Sequence, residues 1–382
     1  MKLKSIILAA LLLTVSAAFA AVEPNDVLKE LKNKIAPDKR TAIWDDVKAV
    51  VKGDMLTIEG TVGTIQQKEA ISRALNAKDI TNFKNNVKVL EGYLPKNHMW
   101  ALVKLSVASL RCEGKHSAEM ATQAVMGTPV KVLQQDGDWY RVQTPDRYIS
   151  YVPESSLQFM NEPTLNAWKK AQRCIVTVYD TRLVTKPGGD ETVTDLVLGC
   201  ILEYKSDDGK WALLATPDGR TGYVLNSEIQ PLPEWARQNF DVALIEKTAR
   251  RMLGSGYLWG GTSTKVTDCS GLMKVCYFAN GIILQRDASQ QALTGLRFND
   301  WHQAQTGDLL FFGNAKTKRV THVGMYLRDG KYIHCSGQVK INSLDPKASD
   351  YPYLYSPLSA SRIKGMVGTK GIKALKDHPW YF

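Results

Sequence analysis

Hydrophobic and polar positions change period several times along this chain, and each change marks an element. The first twenty residues open with Met1-Lys2-Leu3-Lys4, run apolar from Ile6 to Val15 and end in Ala18-Phe19-Ala20. A basic start, a short apolar core and a small-residue site predict a secretory signal over 1–20, so the protein is expected to be exported. The run falls short of the roughly 20 residues a spanning helix needs. No later segment is apolar enough to span, so no integral membrane segment is expected. From about 23 to 95 the pattern predicts a small α+β unit. Its elements are a helix near Asn25–Lys34, strands at Val47–Val51 and Met55–Gly60, a helix at Ile65–Leu75 and a strand at Asn86–Val89.

An internal repeat follows. Gly137-Asp138-Trp139, Thr144-Pro145-Asp146, Tyr151-Val152, Ser155 and Gln158 recur without a gap 72 residues later. The second copy is Gly209-Lys210-Trp211, Thr216-Pro217-Asp218, Tyr223-Val224, Ser227 and Gln230. Short strand-like runs broken by Gly, Pro and Asp turns predict two small β-barrels in tandem, at 97–160 and 172–232. Pro231-Leu232-Pro233 marks a linker. The C-terminal segment, 240–382, opens with an amphipathic helix over Asp241–Leu253, broken by Gly254-Ser255-Gly256. A Gly-rich turn, a helix over Cys269–Phe278 and strands from Asp308 onward come next. Helices first and an antiparallel sheet afterwards is an α+β order.

A chain of 382 residues is too long for one core, which agrees with several domains. The formal charge is +11, or +9 without Lys2 and Lys4, but no Lys/Arg run of five occurs. The scattered basic residues read as a solvated surface that could favour an anionic wall, and no nucleic-acid partner is expected. Six cysteines are too few for a disulfide scaffold, and none has Cys-x-x-Cys spacing, so no metal site is expected. Whether Cys174 and Cys200 pair stays open. Cys276 and Cys335 read as packing residues, His302 as a loop residue, and Cys112 has no assigned role.

One cysteine stands apart. Tyr257-Leu258-Trp259-Gly260-Gly261 precedes Thr267-Asp268-Cys269-Ser270-Gly271, which puts Cys269 in the first turn of a helix. Free N–H groups and the positive dipole end there favour a thiolate. Downstream, Thr306–Phe312 and Thr321–Leu327 read as buried strands, the second turning through Arg328-Asp329-Gly330 into Lys331–Ser336. His322 would be the base and His334 the group that orients it, the logic of a triad. The loop length decides whether both can serve. A two-residue loop pairs residues whose numbers sum to 659 and puts the histidines on opposite faces. A three-residue loop with Gly330 left-handed, as in a type I turn plus bulge, makes the sum 658, pairs His322 with Ser336 and puts both rings on one face. The bulged turn is the expectation.

Asp-Cys-Ser-Gly, Gly-Asp-Leu-x-Phe-Phe and His-Val-Gly-x-Tyr-Leu together, over about 240–370, resemble the NlpC-type, papain-like cysteine peptidases. The tandem barrels resemble bacterial SH3-like domains, and the unit at 23–95, with Leu56–Val62 as its most patterned strand, resembles the small BON domains. The fold expected is therefore α+β: a papain-like C-terminal domain preceded by two SH3-like barrels and a small N-terminal α+β domain. With two such barrels in front, the chain is similar to γ-D-glutamyl-L-diamino acid endopeptidases of the YkfC type. That resemblance implies substrates derived from peptidoglycan, L-Ala-γ-D-Glu-diamino acid peptides with a free N-terminus, and no cofactor.

The resemblance also implies roles. Tyr257, Trp259, Asp268 and Ser270 would line the substrate pocket, with the backbone N–H of Cys269, helped by Tyr257, as oxyanion donor. Arg286-Asp287 would contact the D-glutamyl carboxylate, with Ser289 nearby. Glu119 and Tyr148 of the first barrel would read the L-alanine amine, although Arg147-Tyr148-Ile149-Ser150-Tyr151 departs from the family's Gly-Tyr-x-Gly-Trp. Two other readings stay open: a wall-binding protein with an inert C-terminal domain, and an amidase or acyl transferase on the same scaffold.

Overall fold

The computed structural model describes residues 22–352 and 357–382; the expected signal over 1–20 lies outside them. The chain forms two compact units. One comprises the chain up to Pro37 together with Trp44–Lys88; the other comprises Asp38–Ile43 and Val89–Phe382.

In the smaller unit, helix α1 (Pro24–Ile35) starts with proline in its first turn, where the missing N–H costs nothing. Helix α2 (Ile65–Asn76) starts in a capping box: Thr64 Oγ1 accepts from the Gln67 N–H at 3.2 Å, and Gln67 Oε1 accepts from the Thr64 N–H at 3.1 Å. Strands β1 (Trp44–Lys52), β2 (Met55–Val62) and β3 (Phe83–Asn85) form the sheet in that order, with β4 (Lys88–Val89) alongside β2. Val27, Leu28, Ile58, Ile71 and Leu75 are buried there. The helices and first two strands lie where the periodicity predicts them.

The repeat folds into two sheets of identical topology. β5 (Trp100–Val103), β6 (Val107–Arg111), β7 (Met120–Val125), β8 (Pro129–Asp136), β9 (Trp139–Gln143), β10 (Ile149–Pro153) and β11 (Leu157–Met160) pair in the order 11-5-8-9-10-6-7. A connecting helix α3 (Glu162–Lys170), capped by the Asn161 side chain, leads to the second copy. There β12 (Arg173–Val176), β13 (Asp180–Val184), β14 (Thr192–Val197), β15 (Ile201–Asp207), β16 (Trp211–Ala215), β17 (Thr221–Leu225) and β18 (Ile229–Pro231) pair as 18-12-15-16-17-13-14. Cys174 and Cys200 are both buried and free, each a small apolar residue of the second core.

Equivalent positions of the two copies have acquired different neighbours. Thr144 and Thr216 each donate to the aspartate two residues on, at 2.5 and 2.6 Å. Asp218 then pairs with Arg220 near the surface, whereas Asp146 takes the buried Lys274 ammonium at 2.5 Å. Tyr148 stands at the position of Arg220, freed from that pair. Gly127 and Gly199, also equivalent, have left-handed φ values of 78° and 91° and sit at junctions. A Cβ on Gly127 would lie 2.2 Å from the Ile201 carbonyl oxygen of the second barrel, and one on Gly199 would lie 2.8 Å from the Phe278 ring of the last domain.

The last domain begins with the short helix α4 (Leu232–Ala236), at the expected linker, and α5 (Val242–Arg251), capped by Asp241. Helix α6 (Cys269–Phe278) is apolar enough to be buried almost throughout. β19 (Ile282–Leu284), α7 (Ala288–Gln291) and β20 (Leu296–Phe298) lead to β21 (Leu309–Gly313), β22 (Val320–Tyr326), β23 (Lys331–Ser336), β24 (Gln338–Ser343), β25 (Ser359–Arg362) and β26 (Ile372–Ala374). The sheet order is β20-β25-β21-β22-β23-β24, with β19 and β26 as a separate pair. Leu272, Met273 and Cys276 of α6 pack on Phe311, Val323, Met325 and Ile333 of this sheet.

Gly127→Ala combines a strained backbone with a collision against a neighbouring backbone, and is expected to cost about 2–4 kcal/mol. Gly137→Ala, left-handed at φ 58° but with nothing within 4 Å of the added Cβ, is the control and is expected to cost about 1 kcal/mol. Thermal unfolding of both variants measures the difference; equal midpoints would show that the barrel junction tolerates the methyl group.

Candidate active site

The hairpin between β22 and β23 sets the geometry. Gly324, Met325 and Tyr326 pair with His334, Ile333 and Tyr332, a sum of 658, as expected. The turn itself differs from the expected one. Both Asp329 and Gly330 are left-handed, at φ 52° and 66°, and the Lys331 N–H donates to the Arg328 carbonyl at 2.9 Å. Asp-Gly adopts both positive φ values readily, which is the I′ pattern. The one-residue shift comes from a bulge: the Leu327 N–H donates to the Lys331 carbonyl at 2.9 Å. The two histidines share a face, and His322 Nε2 lies 2.7 Å from His334 Nδ1.

The tautomers follow from a residue the sequence reading missed. Asn342 donates through Nδ2 to the Asp350 carbonyl, so its Oδ1 faces His334 Nε2, at 2.7 Å, and must accept. His334 therefore carries its proton on Nε2 and accepts at Nδ1 from the Nε2–H of His322. That leaves Nδ1 of His322 unprotonated and able to take a proton. Asn342 lies two residues beyond Lys340, the strand partner of His334, and β-alternation alone would have put it on the same face.

Cys269 begins α6, which packs on β22, and the backbone N–H groups of Val323 and Ser270 point at its sulfur. The surroundings of the sulfur oppose the thiolate that the helix start favours. Burial, then the neighbouring Asp268 carboxylate, push the thiol up to about 12, outweighing those N–H groups and Arg286. Burial, then the His334 ring, bring His322 down to about 3; burial brings His334 down to about 4. Burial thus works against the charged form of the thiol and of both imidazoles.

Asp268 is the N-cap of α6 and accepts from the Gly271 N–H at 2.7 Å and the Gly260 N–H at 2.9 Å. Arg286, 1% exposed, donates to both its oxygens, at 3.1 and 2.5 Å, to Ser270 Oγ at 3.0 Å, and to Thr122 Oγ1 of the first barrel at 3.0 Å. Arg286 was expected to meet a substrate carboxylate. Buried contacts instead occupy all but one N–H of its guanidinium, so its first task is to hold Asp268 and Ser270.

One cleft contains Cys269, Tyr257, Trp259, Asp268, Ser270, Arg286, Asp287 and Ser289 together with Glu119, Tyr148 and Cys112 of the first barrel. The Trp259 indole donates to Glu119 Oε1 at 2.6 Å, and the Tyr148 hydroxyl donates to Asp287 Oδ2 at 3.1 Å. Arg297, Lys318 and Arg319 line the same cleft. So does Arg40, from the segment joining α1 and β1, which no local motif signals. His302 is exposed and pairs with Asp300 in a short 3₁₀ turn. Cys335 points into the core with Cys276. Among the described residues no cluster of metal-ligating side chains and no helix long and apolar enough to cross a membrane occurs.

The NlpC/P60 family model matches residues 254–355, and the model for the bacterial dipeptidyl-peptidase SH3 domain matches 110–157, the first copy of the repeat. Dipeptidyl-peptidase 6 of Lysinibacillus sphaericus is 30% identical over 260 residues, which cover 65% of this chain and 92% of that protein. This chain belongs to the NlpC/P60 family. It is thereby a cysteine peptidase of a family of cell-wall hydrolases. The γ-D-glutamyl-L-lysine dipeptidyl-peptidase of Bacillus subtilis is 30% identical over 220 residues, 56% of this chain and 71% of that one. A crystal structure of an NlpC/P60 protein from Bacillus cereus superposes with a TM-score of 0.59 at 23% identity, covering 69% of this chain and 99% of the other, a likeness of fold.

Because His322 is held below the ordinary imidazole range, it stays an unprotonated base well into acid. The kcat/KM profile is expected to stay flat from pH 7 down to pH 5; an acid limb centred near 6.5 would contradict the neutral pair. Asn342→Leu frees the His334 tautomer and is expected to lower kcat about tenfold to a hundredfold with little change in KM, measured by steady-state kinetics. An unchanged kcat would remove Asn342 from the relay.

Proposed function

We propose that this protein cleaves the amide bond between γ-D-glutamate and a diamino acid in peptidoglycan peptides that carry a free N-terminal L-alanine. The observation that carries the reading is the charge layout of the cleft. Glu119 and Asp287, with the Tyr148 hydroxyl, line the same cleft as Cys269, an arrangement suited to a substrate ammonium bound in that cleft. The basic side chains of Arg297, Lys318 and Arg319 suit the carboxylates of such peptides. The relatives named as γ-D-glutamyl-L-lysine dipeptidyl-peptidases support the same bond.

The chemistry proceeds from the neutral pair. His322 Nδ1 takes the Cys269 proton as sulfur attacks the γ-carbonyl carbon, and the Nε2–H bond to His334 stabilises the imidazolium that forms. The Cys269 N–H is positioned at a helix start to receive the oxyanion, with Tyr257 beside it. The C–N bond then breaks as the imidazolium protonates the leaving amine, giving a thioester. Water, deprotonated by the same ring, hydrolyses the thioester and restores the thiol. Asp268, Ser270 and Trp259 shape the cleft around these steps. A preference for free peptides over intact wall, and so a role in turnover or recycling, follows from the acidic end. Export to the periplasm or beyond belongs to the same reading.

The test is incubation of L-Ala-γ-D-Glu-diamino acid tripeptides, with free and acetylated N-termini, with the wild type and with Cys269→Ala, followed by mass analysis. The expected product is L-Ala-D-Glu from the free-amine peptide alone, absent with Cys269→Ala. Equal cleavage of the acetylated peptide would defeat the amine assignment, and release of a different fragment would defeat the bond assignment.

A further inference from the structure

Arg40 reaches the cleft from a segment that lies outside the peptidase domain in sequence, 247 residues before Asp287. The segment Asp38–Ile43 is nevertheless part of the larger unit. It is fastened to both walls of the cleft. The Arg40 carbonyl accepts from the N–H of Ile149, the neighbour of Tyr148, at 2.7 Å, and the Thr41 carbonyl accepts from Gln143 Nε2 at 3.3 Å. On the other side, Gln290 Nε2 of α7 donates to Asp38 Oδ2 at 2.8 Å. The guanidinium is held bidentately by Asp38, with Nε at 2.8 Å and Nη2 at 2.9 Å. That leaves Nη1, which donates to Asp287 Oδ2 at 2.7 Å and to Ser289 Oγ at 3.1 Å.

We propose that Arg40 is a positioning residue for the substrate-binding end of the cleft; the proposal rests on the reading that Asp287 and Ser289 face the L-Ala-γ-D-Glu part of the substrate. A guanidinium only donates, so Ser289 Oγ must accept and its own proton is turned toward another acceptor, such as a substrate carboxylate. The same nitrogen and the Tyr148 hydroxyl both donate to Asp287 Oδ2, which keeps that carboxylate in one orientation. Because Asp38 already matches the charge of Arg40, Asp287 and Glu119 keep the surplus negative charge that an ammonium needs. One side chain thus prepares an acceptor for the amine and a donor for the carboxylate. Lysine cannot replace it, since a single ammonium cannot span both carboxylates and the hydroxyl in one fork.

The experiment is steady-state kinetics of Arg40→Ala and Arg40→Lys on free-amine and acetylated tripeptides, with the rate of Cys269 alkylation by iodoacetamide measured in parallel. Both variants are expected to raise KM for the free-amine peptide about tenfold while kcat stays within about threefold. Their alkylation rates should match the wild type, which a misfolded site would not allow. Unchanged or lower KM values in either folded variant overturn the proposal, the lower value because it makes Arg40 a plug. A wild type that cleaves neither peptide overturns the proposed function and this proposal with it.

Discussion

The buried pair between Arg286 and Asp268 is the constraint on which the rest of the site depends. A guanidinium with 1% of its surface exposed would be strongly destabilising without full hydrogen bonding, and here the two Asp268 oxygens, Ser270 and Thr122 supply it. Asp268 in turn starts the helix that carries Cys269 and holds the Gly260 loop beside it. The bond to Thr122 makes the first barrel part of the same network, so the cleft wall and Cys269 are located by one set of contacts. Burial first, and then this same carboxylate, raise the Cys269 thiol.

The tandem barrels show how a duplicated module was divided between two tasks. Strand order is identical, and the Thr-x-Asp turn is built the same way in both. In the second copy the aspartate stays with its own arginine at the surface. In the first it is turned to Lys274 of α6, and the position of that arginine holds Tyr148, which faces the cleft. Desolvation explains why the first pair matters more: Asp146 is buried and Lys274 largely so, so each needs the other, whereas an exposed pair contributes little.

Much of this was legible residue by residue. The Asp268–Cys269 helix start, the α+β order of the last domain and the common face of the two histidines all follow from short-range rules: capping, periodicity and strand alternation. Even so, the hairpin carried the expected register by a different turn, because Asp329 tolerates the left-handed region and a bulge can sit before a turn as well as within it. Arg286 was expected, from the family resemblance, at the D-glutamyl carboxylate, and nothing in Gln285-Arg286-Asp287 tells that its partners here arrive from a helix start and from another barrel.

By itself the sequence determined the units that depend on neighbours along the chain: the repeat, the place of Cys269 at a helix start and the pairing of the histidine strands. Tertiary structure alone decided what depends on burial and on distant segments meeting. Those are the burial that works against charge on Cys269 and His322, the bond between Asn342 and His334, the hydrogen bonds of Arg286 inside the protein, and the arrival of Arg40 at Asp287 and Ser289. The physical reason is that desolvation and long-range hydrogen bonding are properties of the packed interior, which no local pattern of residues encodes.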